Sequence, residues 1–249
     1  MIIDALQKWN EVLTEMGLNM NVAKTEIMTV SRQEEEEIVV EIAGNRVKNV
    51  KEVKYLGSIF TSEGNNKKEI TDRITQYTKA TGAIYPLLKD EHIPIAAKRI
   101  MFETILTPTL MYGAETWSTN KKDRSRIQAA EMRTLRTIVG KTRRDKIRNV
   151  KIRQDIKVAP ILNKVDAAQL RWLGHLERME EGRIAKERWE WTPEGRRPVG
   201  RPRKRWKNAV NETLARHDIP QLEDLRRQRT LQNRRQWKKR LAPLTEINL

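Results

Sequence analysis

The chain has 249 residues, no cysteine and three histidines, and its 50 lysines and arginines outnumber 33 acidic residues for a formal net charge of +17. Disulfide scaffolds and thiolate metal centres are thereby excluded, and His92, His175 and His217 lie too far apart in sequence for a zinc-type spacing. No apolar run approaches the roughly 20 residues of a membrane span and no basic leader with an apolar core opens the chain, so a soluble protein of the nucleus or cytoplasm is expected.

The charge is unevenly spread. Residues 1–120 hold 14 basic and 17 acidic side chains, a net of −3; residues 121–249 hold the other 36 basic side chains against 16 acidic ones, a net of +20. A near-neutral front joined to a strongly basic back predicts a folded piece followed by a polyanion-binding region. Hydrophobic content is 38%, lean for a globular chain, where about 45–50% with glycine included is usual.

From the N-terminus, Leu6, Trp9, Val12 or Leu13, and Met16 recur at three- and four-residue spacing and predict an amphipathic helix over residues 1–17, ended by Gly17. Residues 18–22 alternate apolar with polar and residues 27–30 continue as a strand-like run, so Lys24 sits between two short extended pieces. Four consecutive glutamates at 34–37 read as a solvated loop. Residues 37–42 then form a strand that turns at Ala43, Gly44 and Asn45 and returns through Val47 as a hairpin. Val53, Tyr55, Gly57 and Ile59 share one face of a further strand, with Gly57 leaving a gap that another backbone could approach.

Helical stripes follow. Ile70, Ile74, Tyr77, Thr81, Ile84 and Leu88 mark one helix; Pro94 opens the next, with Ala97, Ile100, Met101 and Ile105 inward. In the phrase from Leu106 to Trp117, Pro108, Tyr112, Gly113 and Trp117 are expected to be structural, Pro108 kinking a helix and Gly113 permitting close helix packing. In the basic half, Ile127, Ala130, Leu135, Ile138 and Val139 face a core, leaving Arg124, Arg133, Arg136 and the cluster at 141–148 for solvent or phosphate. A helix after Pro160, with Asn163 at its N-cap, turns Val165, Ala168, Trp172, Leu176 and Met179 inward. His175 lacks a spaced carboxylate or hydroxyl partner and reads as a packing or phosphate-contacting residue.

Residues 196–206 allow two readings. Gly200, Arg201 and Pro202 form the core of an AT-hook, which enters the narrow minor groove of A·T-rich DNA, and the run also suits a nuclear-import signal. The same residues equally form a basic linker into a helix from Arg203, with Trp206, Val210 and Leu214 packed. The stretch from Leu225 to Leu241 reads as a short basic helix, partly disordered.

The order of these elements, with Lys24-Thr25-Glu26-Ile27-Met28 and Tyr55-Leu56-Gly57 in the front, the phrase from Pro108 to Trp117, and the runs 170–179 and 200–206 behind, resembles the reverse transcriptase of LINE-type (non-LTR) retrotransposons. The resemblance covers residues 5–215 or so. It implies that Lys24 belongs to polymerase motif D, near the leaving pyrophosphate, and that Tyr55, Leu56 and Gly57 belong to the primer grip. As residues alone, Lys24 is a solvated lysine before a strand and Tyr55 to Gly57 are ordinary sheet.

The fold class expected is α+β, mostly α: a palm remnant with a small antiparallel hairpin region at 1–62, thumb-like helices at 63–118, a basic helical region at 119–195, and a basic linker with C-terminal helices at 196–249. The paired catalytic aspartates of that family stand upstream of the helix in which this chain begins, so a C-terminal fragment is expected that cannot itself hold the metal ions of nucleotidyl transfer. No cofactor is expected within it, Mg2+ belonging to a complete enzyme. Its partners would be an RNA template and a DNA primer or target DNA, held by Arg143, Arg144, Arg171, His175, Arg201, Arg203, Lys204 and Arg205, with no small-molecule substrate apart from contact to a dNTP. A second reading, from a different class, is a non-enzymatic basic nuclear DNA- or RNA-binding protein derived from such an element.

Overall fold

Helices carry most of this chain, and every strand lies between residues 26 and 61, which makes it a mostly-α member of the α+β class. The computed structural model describes residues 2–30, 38–42, 44–192 and 204–246. The chain folds as two compact units, residues 1–69 and residues 70–249.

In the first unit, α1 (Ile2–Glu15) ends as its sequence dictates. Gly17 takes φ +74° and the Leu18 amide donates to the Leu13 carbonyl at 2.8 Å, closing the last turn with a left-handed glycine cap. Of the expected inward stripe, Leu6 packs against the small core of Ile27, Val40, Ile42 and Val47, whereas Trp9, Val12 and Met16 are exposed. Four buried aliphatics are too small a core to cover a whole helix face. Lys24 lies on a 3₁₀ turn (Val22–Lys24) rather than between extended pieces, because the Asn21 side chain accepts the Lys24 amide at 3.2 Å and caps the turn. β1 (Glu26–Ile27) pairs in parallel with β4 (Lys48–Asn49). Between them, β2 (Glu41–Ile42) and β3 (Asn45–Arg46) make the expected hairpin, with Gly44 at φ +75°.

The next pair corrects the sequence reading. β5 (Glu52–Tyr55) and β6 (Ser58–Thr61) are antiparallel, joined by a two-residue turn in which Leu56 (φ 47°) and Gly57 (φ 83°) are both left-handed. That is the turn type matching the twist of paired strands. Gly57 therefore supplies a turn rather than a gap in a strand. Ile59 stands opposite Lys54, on the reverse face from Val53 and Tyr55, whose partners are Phe60 and Ser58.

In the second unit, α2 (Lys67–Ala83) buries Ile70 and Tyr77, and the Tyr77 hydroxyl bonds the Thr134 hydroxyl at 2.7 Å. Pro86 opens the short α3 (Tyr85–Lys89), which carries buried Leu88. After Pro94, α4 (Ile95–Met101) runs into a π-helical turn (Phe102–Leu106) and then α5 (Thr107–Met111). Phe102, Leu106 and Leu110 are buried there while Ile100 and Ile105 are exposed, so the expected face is wrong. Buried residues four apart drift about 40° per step around an α-helix, and the wider π turn brings them back onto one face. Gly113, at φ +73°, makes a left-handed turn and does not serve helix packing. Trp117 is buried, and the exposed Tyr112 ring lies 4.5 Å under the Arg73 guanidinium.

α6 (Lys121–Ile138) begins with a reciprocal cap between Asn120 and Asp123. α7 (Asn149–Ile156) and α8 (Ile161–Glu177) follow. Pro160, and not Asn163, precedes the first turn of α8, since its fixed φ leads straight into a helix whose first amides need no partner. α8 runs through two cores. Its first half, with Ile161 and Val165, joins Ile70, Tyr77, Phe102, Trp117, Ile127 and Leu135, a core that spans residue 118. Its second half, with Leu170, Leu173 and Leu176, joins residues of α9 (Ile184–Glu190), α10 (Trp206–Arg216), α11 (Leu222–Arg227) and α12 (Arg234–Thr245). Gln169 marks the junction: its amide donates to the Trp117 carbonyl at 3.2 Å and its oxygen accepts from Thr213 at 2.7 Å. Leu225, Leu231, Trp237 and Leu241 are buried, so the expected loose basic tail is instead one wall of this second core, up to residue 246.

Candidate nucleic-acid interface

The fold first takes up part of its own positive charge. Three buried carboxylates do this, and because they sit among apolar residues of helices the sequence reading passed over them. Glu131 in α6 has no exposed surface and accepts the Arg153 guanidinium at 2.5 and 3.3 Å and the Ile161 amide at 2.9 Å. Asp166 in α8 holds Arg124 in a two-pronged pair at 2.6 and 3.0 Å, Arg216 at 2.8 Å and the His217 ring at 2.9 Å. Burial alone would raise the Asp166 pKa, but the hydrogen bonds from His217 and Arg124 and the nearby Arg216 charge outweigh it and hold the carboxyl down at about 2. Glu177, at the end of α8, accepts Arg226 at 2.6 Å and the Trp189 indole at 2.6 Å. Burial again opposes ionisation, and Arg226 and Trp189 again prevail, leaving its pKa below the usual value.

Two expectations change here. Arg124 is no free phosphate ligand, being paired with Asp166, and Arg136 in α6 donates through one nitrogen, Nη2, to the Ile147 carbonyl and the Asn149 side chain, both at 3.0 Å.

Between the outer face of α6 and residues 140–149 lies a groove of about 560 Å³. Of its eleven lining residues, four are cationic (Arg133, Arg136, Lys141 and Arg143) and none is acidic; Ala129 and Met132 supply apolar surface. The nearby loop is tied by Asp145, whose carboxylate accepts the Thr142 amide and hydroxyl at 2.6 and 2.7 Å. Those bonds lower the Asp145 pKa and engage its charge within the loop. A second cationic face lies on α12, where Arg234, Arg235, Lys238, Lys239 and Arg240 are exposed. Crowding is evident beside it: partial burial and the Arg234 charge both lower the pKa of Arg178, which donates to the Leu231 carbonyl at 2.7 Å.

The residues singled out in the sequence fall into separate places. In the first unit, Lys24 is exposed on its 3₁₀ turn, and Tyr55 and Leu56 are exposed at the tip of the β5–β6 hairpin beside Gly57. In the second, Arg143 lines the groove and Arg144 is exposed next to it. Arg171 and His175 are exposed on α8, the His175 ring 5.2 Å from that of Trp172. Lys204 is engaged, its ammonium bonding Glu212 at 2.6 Å and the Thr119 carbonyl at 2.9 Å; Arg205 stays exposed at the start of α10. Arg201 and Arg203, with the rest of the AT-hook run before Lys204, lie outside the described residues. Among the described residues, no cluster of three or more acidic or histidine side chains could hold a metal ion, and no helix is long and apolar enough to cross a membrane.

No family model and no solved structure matches the chain. It is 28% identical over 223 residues to a transposon-derived protein of Caenorhabditis elegans, an alignment covering 86% of this chain and 78% of that one. It is 24% identical over 174 residues to a probable RNA-directed DNA polymerase from transposon X-element of Drosophila melanogaster; that match takes in 69% of this chain but only 18% of the longer protein. The relatives of this chain are thus transposon-derived proteins, one of them named for RNA-directed DNA synthesis.

Proposed function

We propose that the chain is the nucleic-acid-holding part of a non-LTR retrotransposon reverse transcriptase, gripping template and primer through its basic half. The observation that carries this reading is the fate of the positive charge. Glu131, Asp166 and Glu177 engage Arg153, Arg124, Arg216 and Arg226. Many of the remaining cations are exposed, on the rim of the α6 groove and on α12, where a phosphate backbone would neutralise them. In this reading Lys24 acts near the leaving pyrophosphate and the tip of the β5–β6 hairpin contacts the primer. The sequence contains no Asp-Asp pair, so this stretch contributes binding and not nucleotidyl transfer.

The test is fluorescence anisotropy of the whole chain with duplex DNA and structured RNA over a series of salt concentrations. Contact with about six phosphates would give a log–log slope near −5 on duplex DNA. Affinity indifferent to salt would overturn the reading. A primer-extension assay with magnesium, dTTP and a poly-rA template should give no product above a mock purification; template-dependent product would assign the chemistry to this chain as well.

A further inference from the structure

We infer that the groove between α6 and residues 140–149 receives one unpaired nucleotide of a bound strand, its phosphate on Arg136, Lys141 and Arg143 and its sugar and base edge on Ala129 and Met132. The inference rests on the nucleic-acid reading above and narrows it to a strand with an unpaired position.

Charge is the first support. The Arg136 guanidinium is half-buried and makes no ion pair; Nη2 carries both of its hydrogen bonds, and Nη1 is buried without any partner. A cation held out of water without a counter-charge is costly, and an anion beside it relieves that cost. Because the two bonds at Nη2 already fix the guanidinium plane, such an anion would meet a preorganised donor. The lining offers no carboxylate to do this, and Arg133, Lys141 and Arg143 add charge of the same sign.

Shape is the second. The outer edge of a duplex presents its phosphates as a ridge, which suits an exposed cationic face such as that of α12. A recess of about 560 Å³ falls within the size range of small-molecule sites, roughly 300–1,000 Å³, and a paired nucleotide enters a recess only by leaving its stack. The third support is the floor. Met132 is 6% exposed and its polarisable thioether, with the Ala129 methyl, gives a flat ring or a sugar an apolar surface. Gln128 and Asn149 flank that floor with groups able to bond base edges or a ribose hydroxyl.

The experiment compares an oligouridylate, an oligothymidylate and a duplex of equal length, each titrated by anisotropy at one salt concentration against the full chain and two variants. Ala129→Glu places a carboxylate at the groove, and Arg143→Ala removes a rim cation; both positions are exposed, and thermal unfolding of each variant verifies the fold. We expect at least one of the single strands to bind more tightly than the duplex, and each variant to weaken that strand about tenfold, the loss of roughly one strong contact, while duplex affinity moves less than about twofold. Arg143→Lys should recover part of the loss. Equal affinity for strand and duplex, equal losses on both, or variants without effect would overturn the inference while leaving the nucleic-acid reading standing. No binding to any of the three would overturn both.

Discussion

The indole of Trp237 lies against the bare Cα of Gly174. A methyl group at 174 would stand 2.5 Å from Cδ1 and 2.6 Å from Nε1 of that ring, and the same Nε1 donates to the Leu170 carbonyl at 2.8 Å. The ring is thus held on α8 at two points one helical turn apart and cannot withdraw without giving up a buried hydrogen bond. Gly174 is not required by backbone conformation, so packing alone demands it.

Gly174→Ala should therefore destabilise the protein by about 1–3 kcal/mol, the usual cost of overpacking, although alanine favours an α-helix over glycine by about 1 kcal/mol. Urea unfolding followed by tryptophan fluorescence measures the change. An unchanged or higher midpoint would mean that α12 is free to shift away from α8.

Asp166 should give the fold an acid limit. Its folded pKa, about 2, lies below the ordinary 3.8, so its contribution is fully present above about pH 4 and is lost as pH falls towards 2. The shift corresponds to stability on the order of 2 kcal/mol. Asp166→Asn should remove that share of the acid sensitivity and lower stability at neutral pH, read from thermal unfolding across pH 2–7. A variant with the same acid profile as the parent would assign the sensitivity to other groups.

Cations bound to buried carboxylates and cations at the surface should separate cleanly by experiment. Arg153→Met leaves Glu131 buried without its partner and should cost about 3–5 kcal/mol of stability. Neutralising Arg133, Lys141 and Arg143 together should leave unfolding within about 0.5 kcal/mol per site, yet flatten the log–log salt slope of binding by about 0.9 for each phosphate that is no longer neutralised. If the triple variant melts early, or keeps the parent slope, the division of the two sets is wrong.

Much of the fold was legible because it depends on neighbours in sequence. Gly17 as a cap, the hairpin around Gly44, and the stripe through Ile70, Tyr77 and Leu88 each follow from local rules, and the structure has all three. The β5–β6 turn was illegible because Leu56, rather than asparagine or aspartate, occupies its first left-handed position. Asp166 and Glu177 were illegible for a different reason. A carboxylate on a helix reads as solvated until distant partners such as Arg216 and Arg226 are known to reach it. The candidate site divides in the same way: Arg143 could be flagged from a run of cations, but a groove needs two segments, and Arg136 and Met132 enter it only once the 140–149 loop lies against α6.

The π turn at 102–106 leaves this helical stretch one residue longer than an α-helix would need to join Ile95 to Met111. A chain that lost Thr104 could close the same span with uninterrupted α-helical bonds, but every side chain after the deletion would arrive about 100° out of phase. Gene copies that drift by single codons can then shed residues freely in surface loops and not here, where one missing residue would trade buried Leu106 and Leu110 for their exposed neighbours. Length between Pro94 and Gly113, more than identity at any one position, is what such copies must preserve to keep this core.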